Sequence, residues 1–127
     1  MRKIIDDGGC QVKIINLDRV EKTRPTMEGA HGIFKQVPIS KSDGSPNFSV
    51  RVFTIEPEGN TPYHSHDFEH INYIIDGEGI VVNESGAETS IKKGSFALIL
   101  PNEKHQYKNP SRKAPLVMIC AVPIAYE

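Results

Sequence analysis

Apolar positions along this chain recur mostly at every second residue, in short runs, and between the runs stand clusters of Gly, Pro, Asn, Asp and Ser. Alternation of this kind predicts half-buried strands, and the clusters predict the turns that join them. Gln11–Val20 reads as a strand followed by an irregular segment, Glu21–Gly29 as a polar loop and Ile33–Ile39 as a strand. Lys41–Pro46 (KSDGSP) is a turn by composition, and Phe48–Ile55 (FSVRVFTI) is a strong strand that Pro57 and Gly59 should close. Six further strands follow at short intervals: Ile71–Ile75, Gly79–Asn83, Glu88–Ile91, Phe96–Leu100, His105–Lys108 and Leu116–Val122. Each ends at a turn signal such as Asp76-Gly77, Ser85-Gly86, Lys93-Gly94 or Asn109-Pro110. No stretch carries a helical period. The chain is therefore expected to be all-β, a sandwich or barrel.

In Leu116–Val122 both faces are apolar: Leu116, Met118, Cys120 and Val122 on one, Val117, Ile119 and Ala121 on the other. One face suits a barrel interior. The other, with part of the Phe48–Ile55 strand, should be covered by a second copy of the chain, so a homodimer is expected. Residues 31–127 read as the barrel. Residues 1–30 read as an N-terminal strand and irregular segment, exchanged or packed across the dimer.

Composition narrows the function. The 127 residues include 15 Lys plus Arg against 16 Asp plus Glu, so there is no basic excess to hold a phosphate backbone, and nucleic acid is not an expected partner. The longest apolar run, Ala114–Ala125, is broken by Pro115 and Pro123 and falls short of a membrane span. Cys10 and Cys120 make no disulfide framework, and MRKIIDDGGC lacks the apolar stretch of a signal peptide. A cytoplasmic protein that meets no membrane is the expectation.

The chemistry lies in the histidines. His64 and His66 stand two apart, which on an extended strand puts both imidazoles on one face. His70 follows four residues later, and His105 lies just past the turn that ends the Phe96–Leu100 strand. His31, in a Gly-rich loop, reads as a solvent-exposed histidine. Neutral imidazoles grouped in this way suit one divalent transition ion: Mn, Fe, Ni, Cu or Zn.

These residues resemble the two motifs of the cupins. Gly59, His64, His66 and Gly77 stand where the first motif has Gly, His-x-His and Gly, and Gly94, Pro101, His105 and Asn109 match the second. The first loop is one residue short between Gly59 and His64, and Glu103 stands where a Gly is usual. A larger departure is the missing Glu ligand: the position seven before Gly77 is His70, and the neighbouring Glu69 should point away. The resemblance implies a cupin double-stranded β-helix, or jelly-roll, barrel. It also implies His64, His66, His70 and His105 as ligands, and it is similar to a small single-domain subgroup of four-histidine cupins that bind manganese.

Four neutral ligands leave the full charge of the ion in place, so the bound molecule should be anionic or oxygen-bearing. Alternation places Arg51 with Phe53 and Cys120 with Met118, so Arg51 and Cys120 are candidates to stand beside the ligands, as are Tyr63 and Tyr73, which flank them in sequence. The expected function is a Mn- or Fe-dependent oxidoreductase, oxidising or cleaving a small organic substrate in the manner of a dioxygenase. An isomerase or lyase, and a non-catalytic module that binds or senses a small anion, are the alternatives.

Overall fold

A computed structural model of the chain describes residues 3–7 and 10–127, with side chains from residue 12 onward. Strands β1 (Lys3–Asp7) and β2 (Cys10–Ile14) pair antiparallel in a small sheet of their own. A single turn of 3-10 helix (Leu17–Arg19) leads on to the rest. The main sheet has eight strands: β3 (His31–Ile39), β4 (Phe48–Asn60), β5 (His70–Asp76), β6 (Glu78–Val82), β7 (Glu88–Lys92), β8 (Phe96–Ile99), β9 (Gln106–Lys108) and β10 (Leu116–Pro123). Their spatial order is β7-β6-β9-β4-β10-β5-β8, with β3 on the other edge of β4, and the sheet curls into a jelly-roll barrel. The expected all-β class holds. None of the described helices is long and apolar enough to cross a membrane.

The strands follow the alternation closely. On β10, Leu116, Met118, Cys120 and Val122 are buried, and Val117, Ile119 and Ala121 are half-buried on the outside. β10 pairs with β4 on one side and β5 on the other, so it forms the floor of the barrel. There Leu116 and Met118 join Ile33, Ile55, Ile74, Ile91 and Tyr107 in one core.

Two strands differ from the sequence reading. β4 does not stop at Ile55 but runs to Asn60, through both expected terminators. The register against β3 jumps from Ile33↔Ile55 to His31↔Asn60, so residues 56–59 bulge out of the ladder. In the bulge Pro57 needs no N–H donor, and Gly59 lies so close to the backbone of its neighbours that a Cβ would stand 2.6 Å from the His31 carbonyl. The second difference is β1, which the sequence reading did not anticipate. Cys10 lies on β2, with its side chain outside the described residues.

Residues 17–23 lie against β3. Gln36 on β3 donates from Nε2 to the carbonyls of Leu17 and Val20, at 2.9 and 3.0 Å, and Thr23 bridges to Lys35.

Candidate metal centre and its cavity

His64 and His66 lie on the irregular segment between β4 and β5, not on a strand. That segment is held by a two-way backbone bridge: His64 N–H donates to the His105 carbonyl at 3.1 Å, and His105 N–H donates back at 2.9 Å. The Asn102 N–H donates to the His66 carbonyl. The histidines of the two motifs are therefore clamped together by main chain. His70 opens β5, where it pairs with Ile99 of β8.

The imidazoles converge. The ligand atoms of His64, His66 and His105 lie within 4.8 Å of one another, a spacing that one ion can bridge. Nε2 of His64 is 2.8 Å from Nε2 of His66, and Nε2 of His70 is 3.3 Å from Nε2 of His105. Two ring nitrogens at 2.8 Å can share no more than one proton, so at least one lone pair faces the gap. The far nitrogens are engaged elsewhere in two cases. His105 Nδ1 meets the Glu103 carbonyl at 2.8 Å, and His70 Nδ1 faces Cys120 Sγ at 3.5 Å. Partners of this kind fix the ring and leave Nε2 for a metal. His66 Nδ1 is buried with no hydrogen-bond partner; its ring is instead sandwiched by Phe68, with centroids 4.5 Å apart.

Burial disfavours the imidazolium form at all four positions. It pushes His66 down to about 4 and His70 to about 3, helped by the neighbouring histidines and by the charge of Arg51. Burial is also the main cause that lowers His64 and His105. The rings are thus neutral donors at ordinary pH, which is the form a transition metal binds. The donor set fits such an ion.

The histidines sit in a cavity of about 450 Å³. Its walls are Met27, Phe53, Pro62, Phe68 and Met118, with Arg51, Asn72, Tyr107, Cys120 and the exposed Glu28 as further lining groups. Inside, the Tyr107 hydroxyl donates to Asn72 Oδ1 at 2.8 Å, and burial raises the Tyr107 pKa, so the phenol stays neutral.

The structure sorts the candidates proposed beside the ligands. Arg51 and Cys120 face the cavity, as alternation implied. Tyr63 and Tyr73 do not line it. The Tyr63 hydroxyl donates to the Asn83 carbonyl on the outside, with Lys104 over its ring. Tyr73 is on the outer side of β5 against Phe96, because Asn72 and Ile74 take the inner side. Sequence adjacency to a ligand does not give its face. Glu69 is exposed, and His31 is exposed and outside the cluster. Sequence reasoning missed Phe68, although its position two residues from both His66 and His70 was a usable signal. It also missed Met27 and Glu28, which arrive from a loop that carries no period.

Comparison with known proteins agrees with this geometry. A family model for the cupin domain matches residues 51–122, and the chain belongs to that family. No curated protein sequence matches it. Among solved structures, a polyketide cyclase of Streptomyces resistomycificus superposes with a TM-score of 0.84 at 23% identity, over 89% of this chain and 80% of that one. An oxalate decarboxylase of Thermotoga maritima, so named by prediction, gives 0.76 at 19% identity, over 87% and 97%. A sugar phosphate isomerase of Silicibacter pomeroyi gives 0.74 at 17% identity, over 87% and 74%. Likeness at these identities concerns the fold.

Proposed function

We propose that this cupin is a metal-dependent enzyme that oxidises or cleaves a small organic anion with dioxygen, using one manganese or iron ion held by His64, His66, His70 and His105. The observation that carries the reading is the convergence of the ring nitrogens of His64, His66 and His105, two of them half-buried and one buried, on the wall of an apolar cavity. A bound ion would supply Lewis acidity and, for Mn or Fe, redox chemistry. The chain's own part is to hold the donors in one protonation state, to present apolar walls that exclude water, and to receive an anion beside Arg51.

A second reading, isomerase or lyase chemistry without dioxygen, is favoured by one residue. Glu28 brings a carboxylate to the cavity, a group able to move a proton. The structures of similar fold include proteins described as a cyclase, a decarboxylase and an isomerase, and those names favour this second chemistry.

The test is oxygen uptake by Mn- and Fe-loaded protein over a panel of small organic acids, with product analysis under nitrogen in parallel. Metal-dependent uptake that disappears in His105→Ala supports the oxidative reading. Turnover that proceeds equally under nitrogen replaces it with the second. In His105→Ala the metal affinity itself should fall by more than the roughly 10–100-fold that loss of an outer partner costs. Metal content after dialysis checks that, and full occupancy in the variant would show the ligand set to be wrong.

A further inference from the structure

Arg51 lines the cavity. It projects from β4 opposite Cys120 of β10, and its Nη2 donates to Cys120 Sγ at 3.1 Å. Sulfur is a weak acceptor and does not neutralise a guanidinium. Nε of Arg51 is buried and has no hydrogen-bond partner. Among the described residues the ion pairs are Lys13–Asp43, Arg24–Glu56 and Arg112–Glu58, and no carboxylate pairs with Arg51. Its guanidinium carbon lies 5.1 Å from the centroid of the Phe53 ring, on the same face of β4. The group is oriented by sulfur and ring, and its charge is left over. Holding a half-buried cation with no counter-charge beside it is costly, and a ligand that supplies one relieves the cost.

The charge also reaches the histidines, since Arg51 is among the causes that hold His66 and His70 neutral. A divalent ion on four neutral rings would add two more positive charges nearby. The one carboxylate lining the cavity, Glu28, is exposed.

We infer that Arg51 anchors a carboxylate of the substrate, and that the substrate is a small organic acid with a second oxyanion group that reaches the metal. The inference rests on the metal reading above and adds the substrate class. A planar carboxylate matches the N–H fork of a guanidinium, and an ammonium or neutral side chain at this place would not give the same two-point grip. The body of the substrate lies against Met27, Phe53 and Met118, so a short hydrocarbon link between the two oxyanion groups suits the walls. A cationic or neutral substrate would leave Arg51 as it is.

The experiment uses the whole chain loaded with Mn²⁺ and titrated by calorimetry with acetate, malonate and succinate. Water-proton relaxation of the ion serves as a second readout of anion arrival at the metal. The tighter of the two dicarboxylates should bind at least about tenfold better than acetate. Arg51→Met should bring that dicarboxylate to the acetate level, with Mn²⁺ content unchanged within about threefold. Arg51→Lys should regain part of the difference, and Arg51→Gln carries the same comparison if Arg51→Met does not fold. A dicarboxylate advantage that persists in full without Arg51, or none in the unsubstituted protein, overturns the inference. Failure of the unsubstituted protein to take up Mn²⁺, read before any anion is added, overturns the metal reading instead.

Discussion

A histidine that is buried and neutral carries a pH dependence whose sign is set by the unfolded chain. There His66 and His70 would titrate near the ordinary value of 6.5, while in the fold burial holds them at about 4 and about 3. Between these values the unfolded chain takes up protons that the native site refuses, so stability rises with pH across that window. Their contribution is intact above about 6.5 and is lost as pH falls toward about 4 and then about 3. The metal-free protein should therefore melt at a lower temperature at pH 5 than at pH 7.5. A His66→Gln, His70→Gln double variant should show a smaller drop between pH 6.5 and pH 5, where most carboxylates remain ionised. Equal drops in the two proteins would mean that other groups carry the effect. At this scale much of the site was legible. The parity of Arg51 with Phe53 and of Cys120 with Met118 depends on local strand geometry alone, whereas His70 was singled out by the motif spacing to Gly77 that the family resemblance supplied. Tyr63 and Glu28 were misjudged or missed because the side a residue faces there depends on the loop path between strands, which no local pattern encodes, whereas alternation along β5 from His70 already puts Tyr73 outside.

The turns between elements decide how the strands stack, and the one after β5 is the most demanding. Gly77 has φ +84°, and a Cβ there would stand 2.2 Å from the Pro115 carbonyl oxygen, against backbone that leads directly into β10. Left-handed φ favours glycine, and here the contact is with main chain, which cannot swing aside. Gly77→Ala is expected to cost about 3 kcal/mol, combining the strain of the conformation with displacement of residues 115–116. Urea unfolding should show it as a midpoint lower by roughly 1–2 M, whereas Gly86→Ala, where a Cβ meets nothing within 4 Å, should cost less. A loss at Gly77 no greater than at Gly86 would refute the steric account. Asn109 does similar work after β9. Its Nδ2 donates to the carbonyls of Ile55, Glu56 and Ala114, and its Oδ1 accepts from Ser111 N–H, tying the β4 bulge to the approach to β10. The strands themselves were legible because alternation and turn residues agree at nearly every boundary. The end of β4 was not, because a bulge lets Pro57 and Gly59 sit inside a strand that their chemistry would otherwise end.

For the molecule as a whole, the outer side of the sheet is the surface that the fold leaves unfinished. The cross-strand registers align two apolar rows there: Val50–Ala121–Ile71–Leu98 and Val52–Ile119–Tyr73–Phe96, running over β4, β10, β5 and β8. Val52 at one end is already buried, on the side where residues 17–23 lie. Exposure grows toward the other end, reaching 51% at Ile71, 58% at Leu98 and 76% at Phe96, with Leu100 beside them at 52%. The expected dimer face thus shifts away from β4, toward β5 and β8. β8 also ends the path of strands in the sheet, so an apolar face and an open edge coincide, a combination that folded chains rarely leave to water. The two rows carry no charge, which suits a flat, self-complementary contact around a two-fold axis. A second copy of this chain is the proposed occupant, with these rows at the centre of an interface that needs about 800 Å² from each partner. Light scattering at tens of micromolar should give twice the 14.1 kDa of one chain. Leu98→Lys and Phe96→Glu, both far from the cavity, should each shift the mass toward the monomer and leave metal content intact. A monomer in the unsubstituted protein refutes the dimer. A dimer that both variants leave untouched places the contact elsewhere on the barrel, because neither a lysine nor a glutamate could be buried unpaired at the centre of this face without several kcal/mol of cost.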